Sequence, residues 1–152
     1  MSDEGIWKKA MELTASIQMD YADRVDGLES MGLERKVLGE LPARLARWAK
    51  QAESSGQESS SQDSQLLAQR MDVLEELCAE LASFAIPETL EHGDLDAGNI
   101  FLCDGRPALM DWSDSSISHP FFTVALMERA EVPVGPRLDA YLHPWSAFDT
   151  EG

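Results

Sequence analysis

The apolar periodicity of this chain changes at Pro87, and that change limits the fold more than any other feature. Before it, apolar residues recur in steps of three and four. Trp7, Met11, Thr14, Ile17, Tyr21, Val25 and Leu28 mark one face of a long helix over 4–30, with Gly32 as its stop. Pro42, a good first-turn residue, opens a second helix through Leu45, Trp48 and Ala49. A third, over 66–85, aligns Leu67, Met71, Leu74, Leu77, Cys78, Leu81 and Phe84. After Pro87 the pattern shortens to β-prone pieces at 89–91, 99–103 and 107–112, with Asp104-Gly105-Arg106 as a hairpin turn. Helical spacing returns over 119–145, with Phe121, Val124, Ala125 and Met127 as buried candidates and a short last helix over 136–142. The expectation is one domain of the α+β class, predominantly α-helical. Its parts are a helical region 4–52, an acidic loop 53–65 with no aliphatic residue, helix 66–85, a loop and hairpin 89–112, and C-terminal helices 119–145.

At 152 residues with 43% hydrophobic content, the chain can bury a core as a single domain. Its charge is the unusual quantity: −16 overall, with one base against nine acids over 51–91 and three against ten over 92–152. No basic stripe is present, which argues against nucleic-acid binding and against an anionic membrane surface. No run approaches the ~18 apolar residues of a membrane span, and MSDEGIWKK lacks the pattern of a signal peptide. The reading is a cytoplasmic protein. Cys78 and Cys103 read as reduced core thiols.

The chemistry-bearing stretch is His92-Gly93-Asp94-Leu95-Asp96-Ala97-Gly98-Asn99, followed by Asp111-Trp112. With a three-residue hairpin loop, Cys103 pairs with Pro107 and Asn99 falls opposite Asp111, roughly 4.5–5.5 Å away. Two oxygen-bearing side chains so placed can share a hard cation such as Mg²⁺. The loop before Asn99, which contains Gly98, can bring Asp94 to the same spot. Phosphoryl transfer needs this set: metal ions neutralise the β- and γ-phosphates while a carboxylate orients the attacking hydroxyl and accepts its proton.

HGDLDAGN with MDW resembles the catalytic loop and metal-binding acid of the aminoglycoside phosphotransferase family, relatives of protein and choline kinases. That family typically shows HGDLHxxN and then Asp-Trp or Asp-Phe. Ile17-Gln18, ERKVLGELPARL (34–45), SHPFF (118–122) and DAYLHPW (139–145) also look similar to its C-terminal lobe. The resemblance implies a protein-kinase-like C-lobe and Mg²⁺- and ATP-dependent transfer to a small-molecule hydroxyl. It makes Asp94 the catalytic base, Asn99 and Asp111 the Mg²⁺ ligands, and His92 a structural tie. Asp96 stands where the family usually has histidine, which alters either substrate positioning or the loop's hydrogen bonds, or adds a third metal ligand. Thr123 stands where many members have aspartate, so one lobe-stabilising interaction is expected to be missing.

The family is bilobal, and its N-terminal β lobe grips the nucleotide. Here no strand-rich segment precedes the loop, no GxGxxG occurs, and Lys8, Lys9, Lys36 and Lys50 lie in or beside predicted helices. The N-lobe is therefore expected to be absent, leaving the isolated chain slow or inactive unless a separate N-lobe partner completes it. The alternative is an inactive C-lobe used as a binding module, with exposed apolar surface favouring a homodimer or a protein partner. A metal-dependent hydrolase lacks a His-rich ligand set here. The acidic surface favours a cationic acceptor. In the bland reading Asp94, Asn99 and Asp111 serve turns, and His119 and His143, each beside a proline, take surface or capping roles. Trp7, Trp48, Trp112 and Trp145 fill the core, and Asp114 caps a loop rather than meeting a substrate.

Overall fold

The computed structural model describes residues 3–54, 65–127 and 134–146, and the chain divides into two compact units. One joins the residues up to Arg35 with those from Ile86 onward; the other is Lys36–Ala85.

The first unit is built on α1 (Asp3–Tyr21), whose inner face carries Trp7, Ala10, Met11, Thr14, Ala15 and Gln18. The single helix expected over 4–30 is interrupted by a 3-10 turn at Ala22–Arg24, where the Arg24 guanidinium lies 5.8 Å over the Tyr21 ring; α2 (Val25–Ser30) follows. Such tighter turns are common where a helix changes course. Gly32 is the stop, as its position suggested. At φ +97 its N–H donates to the Glu29 carbonyl and the Leu33 N–H reaches back to Leu28, which is a Schellman termination.

Two small sheets follow. Strand β1 (Arg35–Lys36), β2 (Thr89–Glu91) and β5 (Ser116–Ser118) form one, in the order β1-β5-β2, with Glu91 opposite Ser116 in the antiparallel β2–β5 pair. Neither β1 nor β5 was expected; both are too short to show alternation. The second sheet is the hairpin β3 (Ile100–Cys103) and β4 (Arg106–Leu109). Its loop has two residues, not three: Asp104 and Gly105 take φ +51 and +75, the left-handed pair of a type I′ turn, and Cys103 pairs with Arg106. The register therefore slips by one residue, and Asn99 lies opposite Met110 rather than Asp111, its carbonyl accepting the Met110 N–H at 2.9 Å.

After β5 come α5 (Phe122–Met127) and α6 (Val134–Trp145). Met127, Ala140, Tyr141 and Trp145 complete the core with Trp7, Ala10, Met11, Ala15, Leu95 and Leu109. Ala125, expected inside, is exposed. Arg137 is wholly buried, with its guanidinium 5.1 Å over the Trp7 ring. His119 is buried rather than at the surface, although it does cap, with Nδ1 accepting the Phe121 N–H at 3.2 Å.

The second unit holds a 3-10 turn (Leu38–Glu40), α3 (Leu41–Ser54), a helical turn at 65–68 and α4 (Met71–Ser83). The helix expected over 66–85 breaks at 69–70. Of its apolar stripe only Cys78 is buried, while Leu77, Phe84 and, on α3, Trp48 are about half exposed. Among the described residues this unit offers two helices and two short turns, too little structure to cover a full stripe. Cys103, also expected inside, is exposed; both cysteines are free. Most of the acidic loop (55–64) and residues 128–133 lie outside the described residues. No described helix is long and apolar enough to cross a membrane. Met11 is fully buried where α1 meets the core, so Met11→Ala should cost about 2–5 kcal/mol in urea unfolding followed by tryptophan fluorescence.

Candidate active site

Beneath the loop lies a buried polar cluster drawn from four elements. Glu91, at the end of β2, is 3% exposed. Its Oε2 accepts from the Gln18 amide of α1 at 2.8 Å, and the Thr123 hydroxyl of α5 sits 2.8 and 2.9 Å from its two oxygens. Gln18 is held in turn by the Tyr141 hydroxyl of α6, which donates to its Oε1 at 2.6 Å, and by the Thr89 hydroxyl, which donates to its carbonyl. Burial pushes the Glu91 carboxyl up to about 7 against the pull of its hydrogen bonds, and pushes the Tyr141 hydroxyl well above its usual range. Thr123, which departs from the family's aspartate, thus has a partner of its own. The Thr-Leu-Glu strand gave no hint of this, since an apolar-in pattern would have buried Leu90; instead Thr89 and Glu91 point inward.

The chain leaves this cluster through His92 and Gly93. His92 Nε2 lies 2.9 Å from the Met110 carbonyl. A carbonyl only accepts, so Nε2 carries the proton and Nδ1 accepts the Asp94 N–H at 3.3 Å. The His92 and Trp112 rings are 4.5 Å apart. One imidazole therefore ties the first motif to both flanks of the second. Gly93 (φ +83) is demanded by space as well as by backbone, because a Cβ there would lie 2.3 Å from the Asp114 carbonyl oxygen.

The loop then closes on itself. Asp96 Oδ1 accepts the N–H groups of Gly98 (2.6 Å) and Asn99 (3.3 Å), capping the 3-10 turn Ala97–Asn99. Of the three readings of Asp96, this geometry favours the loop's own hydrogen bonds. Asn99 Nδ2 donates to the Asp94 carbonyl at 2.8 Å and to Asp94 Oδ2 at 3.2 Å, which brings these two site residues together.

Asp111 is not hydrogen-bonded to that pair. It is exposed, its Oδ1 accepting from the Ser113 hydroxyl at 2.8 Å, and it sits one step beyond the register position first assigned to it. Its backbone is left-handed (φ +58, ψ +69), which for a non-glycine residue stores about 1 kcal/mol. Among the described residues no three His, Cys, Asp or Glu side chains are grouped to hold a metal. The donor chemistry nevertheless fits a small hard cation. Asn99 engages Asp94 through its amide nitrogen, so its Oδ1 is not used in that bond, and the Asp111 carboxylate is accessible. Mg²⁺ ordinarily takes one or two carboxylates and fills its remaining positions with phosphate oxygens and water.

The loop closed through Asp94, Asn99 and His92 is set against an Asp-Trp corner, so both motifs lie side by side. The family described as Phosphotransferase enzyme family matches the chain over residues 22–150, a span that includes both motifs, and the chain belongs to this family. No curated protein matches it.

The raised Glu91 carboxyl has a consequence for stability. Its ordinary value is 4.5, so between about pH 4.5 and 7 the folded chain holds a proton that the unfolded chain has released. This contribution is complete below 4.5 and is lost as the pH rises through 7. His119, whose pKa burial lowers, acts in the opposite sense, since its contribution is lost as the pH falls. Comparison with Glu91→Gln isolates the first effect. The stability of wild type relative to this variant should decline by up to about 3 kcal/mol from pH 4.5 to 8 in urea titrations, while a parallel pair of curves would contradict it.

Proposed function

We propose that this chain is the C-terminal lobe of a protein-kinase-like phosphotransferase that uses Mg²⁺ and ATP to phosphorylate a hydroxyl of a small molecule. The observation that carries the reading is the Asn99–Asp94 hydrogen-bond pair, which orients a carboxylate and an amide oxygen together in a chain of this family. In the proposed reaction Asp94 orients the acceptor hydroxyl and takes its proton. The hydroxyl oxygen forms the new bond to the γ-phosphorus, the bond to the β–γ bridging oxygen breaks, and ADP leaves. Asn99 and Asp111 would hold the Mg²⁺, which would neutralise phosphate charge. His92 fixes the loop and touches no reactant.

The acidic surface supports a cationic acceptor, and the absence of a basic stripe argues against nucleic acid. Residues that grip the nucleotide from its other side would come from another segment or a partner chain. Location in the cytoplasm accords with the composition. The competing reading is an inactive lobe serving as an interaction module, with a second copy or another protein as its partner; the half-exposed Phe101, Leu102 and Met110 beside the loop favour it.

Calorimetric titration of Mg·ATP separates the two. The enzyme reading expects binding by wild type that weakens at least tenfold in Asp111→Ala, whereas no binding by either, or equal binding by both, contradicts it. Where transfer to an acceptor is measurable, Asp94→Asn should lower kcat about 10²–10⁴-fold, the usual contribution of a positioned base.

A further inference from the structure

We infer that Glu91 is a positioning residue for the Asp94 loop. Its buried carboxylate, fastened from α1 and α5, sets the direction in which residues 92–94 leave β2. The catalytic meaning of this role rests on the function proposed above, but the fastening itself does not.

A carboxyl group buried among neutral hydrogen-bonding partners is an expensive choice for a core position, whether it holds its proton or not, and a well-packed apolar residue would serve stability better. Its presence there calls for a role that packing alone does not require. The donors around it are fixed from outside the loop: the Gln18 amide at 2.8 Å, itself anchored by Tyr141, and the Thr123 hydroxyl at 2.8 and 2.9 Å. On the loop side, the Gly93 N–H lies 3.5 Å from Glu91 Oε1, a long contact aimed at the same group. Glu91 is also the last residue of β2 before the turn.

Above the turn there is no slack. At Gly93 the Asp114 backbone leaves no room for even a Cβ, and His92 is bound at both ring nitrogens. Rotation of Glu91 out of the cluster would therefore be passed to Asp94 three residues on, and through the Asn99 amide to the second site residue. An apolar side chain would fill the space without fixing that rotation, since dispersion contacts are not directional, whereas a satisfied polar network specifies one arrangement.

Amide hydrogen exchange measured by NMR tests this without nucleotide or acceptor. Glu91→Leu should speed exchange at Gly93 and Asp94 at least about tenfold more than at Ala15 of α1 and Ala140 of α6. Glu91→Gln, which keeps an acceptor oxygen, should change that ratio less. The double variant Glu91→Thr with Thr123→Asp returns a carboxylate to the cluster from α5 and should recover much of the loop's protection relative to Glu91→Leu. Exchange at Gly93 and Asp94 that rises only in step with Ala15 and Ala140, or no recovery in the double variant, would make Glu91 an ordinary core residue. If Glu91→Leu does not fold, the Glu91→Gln and double-variant comparison decides on the same ratio. A wild type that binds no Mg·ATP but shows the loop-selective pattern would overturn the enzyme reading and leave the positioning role standing.

Discussion

The Glu91 carboxylate is the point at which the first unit of this protein is held together by polar rather than apolar contact. Gln18 reaches it from α1, Thr123 from α5, and Tyr141 from α6 through Gln18. The apolar core around Met11, Met127 and Trp145 supplies most of the burial, but such contacts tolerate sliding. The polar cluster does not, because each member has one geometry that satisfies it and a buried group left unsatisfied costs about 1–3 kcal/mol. The helices are thereby fixed relative to the one strand that ends in the functional loop.

From that strand the architecture is a succession of local ties. His92 uses one ring nitrogen on the Met110 carbonyl and the other on the Asp94 N–H, and its ring lies tilted against that of Trp112. The two motifs, separated by a hairpin in sequence, are thus joined by a single side chain, which gives a physical reason for their occurring together. Asp96 holds the Asn99 backbone and Asn99 holds Asp94. The acidic residue in the family's histidine position has a job as a turn cap, and Thr123 in the aspartate position has one as a donor to Glu91.

The long helix α1 was legible because its apolar spacing is regular, and the family was legible from two motifs at a fixed separation. The hairpin register turns on a single residue. Asp104-Gly105 is a strong two-residue turn signal, and reading Arg106 into the loop displaced Asp111 by one position. The Glu91 cluster was hidden because its members lie at positions 18, 89, 91, 123 and 141, and only tertiary packing brings them together. The stripe of α4 read as buried because periodicity reports which residues share a face, not whether anything covers that face.

The proposed function requires that residues 92–99 and Asp111 form one selective seat for a small hard cation in a chain of net charge −16. Paramagnetic broadening of amide resonances by substoichiometric Mn²⁺, a stand-in for Mg²⁺, tests it most directly. The account predicts that Asp94, Asn99 and Asp111 broaden first and together, and that added Mg²⁺ reverses the effect. Broadening that begins at Glu75, Glu76 and Glu80 of α4, or spreads over all acidic residues alike, would contradict it.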